Sequence, residues 1–144
     1  MTYSIDVARV GEPMHFRART EDGLTIDMDN GPAGPSPMQL LIMAMGGCSG
    51  IDIVDILQKY RQPLEDFSMT LEAERTQRDT YSEFTHIHAH YRLTGALDPD
   101  KVRRAIELSL GKYCSVSKAL EKTATITYAF SVNDQHFDTA EATA

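Results

Sequence analysis

The chain has 144 residues, enough for one domain with an ordinary hydrophobic core. Its 42% hydrophobic content argues against wholesale disorder, and a net charge of −7 without any Lys/Arg cluster argues against a nucleic-acid partner. The N-terminus has neither a basic n-region nor an apolar h-region, and the longest charge-free apolar run is too short for a bilayer, so a cytoplasmic protein with no membrane partner is expected.

The first thirty residues alternate with period two. Tyr3, Ile5 and Val7 alternate with Ser4, Asp6 and Ala8, then Met14, Phe16 and Ala18 with His15, Arg17 and Arg19. After "EDG", Leu24, Ile26 and Met28 alternate with Thr25 and Asp27. Three strands broken by "GEP" and "EDG" turns predict a β-meander. "NGPAGPSP" then ends in a helix start: Ser36 caps, Pro37 takes the first helical position and Gln39 completes a capping box. The helix is predicted to reach about Gln62, where Pro63 stops it.

Inside that helix, Leu40–Ile51 carries no charge and reads as buried, yet it contains Gly46, Gly47 and Gly50. Each glycine costs roughly 1 kcal/mol relative to alanine in a helix interior. Such a loss beside Cys48 suggests that something approaches the backbone closely.

Two more strands follow, Met69–Glu74 and the stretch "FTHIHAHYRL", joined by the polar loop "TQRDTYSE" as an antiparallel hairpin. His86, His88 and His90 fall on one face, opposite Ile87, Ala89, Tyr91 and Leu93. Alternation explains these histidines as the polar side of a half-buried strand, and no cysteine stands near to complete a zinc set. A second helix begins at Asp98 and Pro99. Gly111 predicts a break, with Ser115 or Ser117 capping a short further helix. Thr123–Val132 is predicted as a final strand, with 136–144 as a frayed tail. The order βββ-α-ββ-α-(α)-β over 1–135 is a single α+β domain.

Cys48 and Cys114 are the only cysteines, which excludes a disulfide scaffold and a cysteine-rich zinc site. Two thiols are then either inert core residues or a redox pair. Asp52 lies one turn beyond Cys48; it reads first as part of a partly exposed helix end preceding Lys59 and Arg61, and otherwise as a carboxylate that raises the thiol pKa if buried or accepts its proton if wetted.

The segments "SPMQLLIMAMGGCSGIDIVDIL", "QPLEDFSMTLEAER", "FTHIHAHYRLTG" and "LDPDKVRRAIELSLGKYCSVSKAL" together resemble the OsmC/Ohr family of osmotically inducible and organic-hydroperoxide-resistance proteins. The resemblance implies two long central helices packed on antiparallel sheets in an intertwined homodimer. It implies that the three glycines let another helix approach and bring Cys48 near Cys114. It also assigns Cys48 as the thiol that attacks an organic hydroperoxide and Cys114 as the one that resolves the sulfenic acid, with a dithiol as reductant and no cofactor or metal. The pattern departs in one place. Peroxidatic members carry a glutamate just before the Gln-Leu of the long helix, holding an arginine over the thiolate, and here that position is Met38. The family's arginine directly precedes its Asp-Gly turn, where this chain has Glu21, so Arg19 is the stand-in. A weak thiol peroxidase is expected, of the less-characterised OsmC-like branch. The alternative is a non-catalytic protein binding a small apolar ligand in a cavity lined by Met38, Met43 and Met45.

Overall fold

Ser36 and Gln39 close a reciprocal box at the head of the long helix. The Gln39 amide donates to Ser36 Oγ (3.1 Å) and the Ser36 amide to Gln39 Oε1 (2.9 Å), so two orphan donors of the first turn are satisfied. The helix α1 runs Pro37–Lys59 and ends with Arg61 in the left-handed region (φ 57°) ahead of Pro63. The computed structural model describes residues 1–142, and the chain divides into two compact units, Met1–Met43 and Ala44–Ala144.

The N-terminal unit holds three antiparallel strands in the order β1 (Ile5–Gly11), β2 (His15–Thr20), β3 (Thr25–Met28). Their register sets Val7 beside Ala18 and Ala18 beside Ile26, so the predicted meander forms with its apolar residues in rows. Gly23, at φ +89°, makes the turn that the Asp-Gly pair signals. In the following connector, the buried Asp29 carboxylate accepts from the amides of Asn30 (2.7 Å) and Ala33 (3.1 Å).

In the C-terminal unit a four-stranded sheet takes the order β4 (Leu64–Gln77), β5 (Ser82–Gly95), β6 (Thr125–Val132), β7 (Gln135–Glu141). Between β5 and β6 the chain passes through α2 (Pro99–Leu108), a π-helical turn (Ser109–Tyr113) and α3 (Ser115–Leu120). Asp98 caps α2 through the Asp100 amide (3.0 Å), as its position before Pro99 predicts. Ile87, Ala89, Tyr91 and Leu93 of β5 are buried with Ile53 and Leu57 of α1 and Val102, Ala105 and Ile106 of α2. This is the core, and period-two and period-3.6 patterns build it together.

Five expectations change. The second helix is not long: α2 has 10 residues and gives way to the π-helical turn. The sheet is not wholly antiparallel, because the helical crossover lets β6 run parallel to β5. The segment expected to fray instead forms β7, antiparallel to β6 across a turn in which Asn133 (φ 49°) and Asp134 (φ 69°) are both left-handed. That is the geometry of a two-residue type I′ hairpin, and Asn-Asp was its signal. The last part of that segment, residues 143–144, lies outside the described residues. By length and composition α1 is long and apolar enough to cross a membrane, because a span tolerates one or two charges beyond the charge-free run. Here α1 serves as a core helix, with Met45, Gly46, Ser49, Ile53, Ile56 and Leu57 buried.

The fifth change concerns the glycines. A Cβ at Gly46 would stand 3.2 Å from Leu71 Cδ1 and 3.4 Å from Met69 Sδ, and one at Gly50 3.1 Å from Met69 Cε. A strand of the sheet, rather than a second helix, comes close to α1 at these positions. A Cβ at Gly47 would meet nothing beyond its own helix within 4 Å.

Candidate functional site

Cys48 lies on α1, and its face of the helix is only half covered: Cys48 is half-buried, while Ile51 is 74% exposed. Cys114 is fully buried at the joint between the π-helical turn and α3. The Cys114 amide donates to the Ser109 carbonyl five residues back (2.7 Å), closing the wide turn. Its backbone then turns extended (φ −73°, ψ 102°), and its sulfur takes the place a capping serine would hold. Cys114 Sγ accepts from the Ser117 hydroxyl (3.0 Å) and the Ser117 amide (3.4 Å). Ser115 and Ser117, expected as caps, thus yield that role to the cysteine. Sequence reasoning missed this because cysteine is a rare cap.

The two sulfurs and a carboxylate oxygen of Asp52 all lie within 4.8 Å of one another, and both thiols are free. The helical step from Cys48 to Asp52 therefore delivers the carboxylate to the same spot as the thiol. Asp52 Oδ2 accepts from the Ser109 hydroxyl (3.0 Å), whose oxygen is also 3.4 Å from the Ser49 carbonyl. Beneath them the Tyr91 hydroxyl donates to Ser49 Oγ (3.0 Å), and Ser49 donates to the Gly46 carbonyl (3.3 Å). Every polar atom of this buried layer has a partner, so it holds the backbone of α1 beside Cys48 in one arrangement. Ser49, Tyr91, Ser109 and Ser117 were invisible as site residues in the sequence, since serine and tyrosine carry no spacing signal of their own.

Burial pushes the Cys114 thiol above its ordinary pKa, and the neighbouring Cys48 adds to the rise, while the Ser117 hydrogen bonds oppose it. Burial also pushes the Tyr91 phenol up, against the Ser49 hydrogen bond, with Cys114 and Asp52 adding to the rise. Asp52 opens onto a solvent-facing groove of about 470 Å³, bounded also by Asp55, Lys59 and Tyr60 along α1 and by Leu108 and Tyr113.

Arg19 lies on β2 in the N-terminal unit, paired in register with Asp6 and Thr25. Arg17, next on the same face, is committed to Asp27 through two hydrogen bonds (2.6 and 3.0 Å), and His15 holds the same carboxylate (2.9 Å). Of the three methionines, Met45 is fully buried, Met43 is 55% exposed and Met38 sits in the first turn of α1. Their helical spacing sends Met43 and Met45 to opposite sides. The histidines of β5 behave as the polar side of a strand. His88 Nδ1 bonds Thr127 Oγ1 (2.8 Å), and the partly covered His90 is held by burial below its ordinary pKa.

Two sheets, three helices and a convergent pair of free thiols define an α+β protein of the dithiol class. A family model described as "OsmC-like protein" matches residues 29–129. The Escherichia coli (strain K12) protein YhfA is 44% identical over 124 residues, covering 84% of this chain and 92% of its own. A hypothetical protein from Aquifex aeolicus VF5 superposes with a TM-score of 0.83 at 26% identity, covering 92% of this chain and 97% of its own. An organic hydroperoxide resistance protein OsmC from Legionella pneumophila, also described as a predicted redox protein, shares the fold at a TM-score of 0.70 and 20% identity, over 92% of this chain and 98% of its own. The chain belongs to the OsmC-like family.

Proposed function

We propose that this protein is a two-cysteine thiol oxidoreductase that reduces organic hydroperoxides slowly. The convergence of two free thiols within 4.8 Å, one half-exposed and one buried, carries the reading. The Cys48 thiolate attacks the terminal oxygen of RO–OH. The O–O bond breaks, the alkoxide takes a proton and leaves as ROH, and Cys48 becomes a sulfenic acid. The Cys114 sulfur then attacks Cys48, a disulfide forms and water departs. An external dithiol reduces the disulfide and restores both thiols. The Legionella relative's description as a hydroperoxide resistance and redox protein supports the substrate class. A dithiol that must be restored by an external reductant suits a reducing, cytoplasmic compartment.

The rate is expected to be low. An arginine beside a thiolate favours ionisation and stabilises charge on the leaving oxygen. Met38 cannot hold a guanidinium, and Arg17 is held by Asp27. That same set of facts favours the second reading, a non-catalytic binding protein for a small apolar ligand.

The working unit is a homodimer. Ile5, Val7 and Ile26 of the strands and Leu24 just before β3 are each half or more exposed, and so is Ile51 of α1, an amount of open apolar surface that a partner copy would cover.

Turnover of cumene hydroperoxide with a dithiol tests the enzyme. Slow turnover is expected, lost in Cys48→Ser and much reduced in Cys114→Ser. Met38→Glu speeds it only where an arginine comes within reach of residue 38. Turnover unchanged in Cys48→Ser removes the thiol mechanism and leaves the binding protein.

A further inference from the structure

The cluster that serves the redox reading also has the composition of a metal site. We propose that in the reduced protein Cys48 Sγ, Cys114 Sγ and an Asp52 carboxylate oxygen bind one soft divalent cation, for which zinc is the best fit. The inference rests on the same thiol pair as the proposed function, but not on any turnover by it.

Geometry comes first. Zinc binds thiolate at about 2.3 Å and carboxylate at about 2.0–2.2 Å, which in a tetrahedron sets neighbouring ligand atoms roughly 3.5–3.8 Å apart. The three atoms here lie within 4.8 Å of one another before any ion draws them in. Closing the remaining distance of about 1 Å takes a side-chain rotation. Cys48 and Asp52 are only half-buried and leave room for it.

The donors also come with their supports. Ligating carboxylates and thiolates are oriented by outer hydrogen bonds, and here Ser109 donates to Asp52 while the Ser117 hydroxyl and amide donate to Cys114. Asp52 borders the open groove, which provides an entry path. With three protein ligands, a fourth position remains for water.

Charge completes the argument. A dication would stabilise both thiolates and the carboxylate at once, releasing two protons as it binds. Thiolate donors favour zinc over magnesium or calcium, which take oxygen ligands.

Cation and disulfide then exclude each other. A hydroperoxide attacking the loaded site takes two electrons from the two sulfurs and two protons from solvent. The products are the Cys48–Cys114 bond, ROH, water and the released ion. The cation guards the thiols until an oxidant discharges it.

Cobalt(II), a spectroscopic probe for zinc sites, tests this on metal-free protein reduced with a phosphine under anaerobic conditions. One cobalt per chain is expected, with a near-ultraviolet thiolate-to-metal charge-transfer band that zinc abolishes by displacement. The band should be missing from the disulfide form and from Cys48→Ser, whose half-exposed position tolerates the change. Cys114→Ser, checked for folding by circular dichroism, should lose it too. Asp52→Asn and Ser109→Ala should each weaken zinc about tenfold or more. No band at saturating cobalt, or a band that survives in Cys48→Ser, overturns the site. If cobalt binds as described while the metal-free protein reduces no hydroperoxide, the cation site stands and the redox function falls. The converse result removes the cation site alone.

Discussion

Asp27 shows how much a single side chain can make stability depend on pH. Its carboxylate is held by Arg17 first and His15 second, and these hydrogen bonds press it far below the usual carboxylate range. A carboxyl held low in the folded state contributes stability that is present above its unfolded pKa of about 4 and is lost as pH falls through the folded value. The strands β2 and β3 should therefore lose hydrogen-exchange protection below about pH 4, and Asp27→Asn should flatten that dependence while lowering protection at neutral pH. Protection unchanged down to pH 2 would refute the linkage. The thiols differ at the same scale. Cys48 is half-exposed, whereas Cys114 is fully buried with its pKa raised, so iodoacetamide should label Cys48 about tenfold faster or more in the reduced protein. Mass mapping that finds Cys114 labelled first would contradict the assignment of Cys48 as the attacking thiol.

For the elements, the glycines separate cleanly by what surrounds them. A Cβ on Gly95 would stand 2.3 Å from the Pro63 carbonyl oxygen, in a backbone at φ +140°. No side-chain adjustment relieves a clash with backbone, so Gly95→Ala should destabilise by about 2 kcal/mol or more in urea unfolding. Gly47 has open space around it, and within one chain Gly47→Ala should add up to about 1 kcal/mol to α1. An equal loss at both positions would show that the close approach at Gly95 is not what selects glycine there. The π-helical turn matters in the same concrete way. By widening the chain over Ser109–Tyr113, it brings Ser109 to Asp52 and leaves Cys114 at the joint.

On the scale of the whole molecule, the prediction is association. Ile51 at 74% exposed and Leu24 at 66% are surfaces that a chain working alone would not keep apolar. Next to Ile51 on α1, Gly47 offers room for close packing by another copy. Sedimentation at micromolar concentration should show a dimer, and Ile51→Lys should shift it toward monomer. A stable wild-type monomer would remove the dimer and any site shared across it.

Much of this was legible in the residues. Period-two alternation marked the strands β1 to β5 and the buried face of β5, the Ser36–Gln39 and Asp98–Pro99 pairs set where α1 and α2 begin, and the family resemblance put Cys48 beside Cys114. The strand and helix-start readings rest on local chemistry, which short stretches of chain carry by themselves. Other features depended on residues far apart in sequence. Gly46 and Gly50 answer to Met69 and Leu71 of β4. The parallel pairing of β6 with β5 depends on where the crossover lands, and β7 forms because β6 offers it an edge. Asp52 becomes a member of the thiol site, rather than one more charge on a helix, only because a π-helical turn elsewhere in the chain delivers Ser109 and Cys114 to it. Local sequence determined most of the elements and where they start; the meeting of those elements decided the last strand and the chemistry, because a site is made of distances that no single stretch of chain contains.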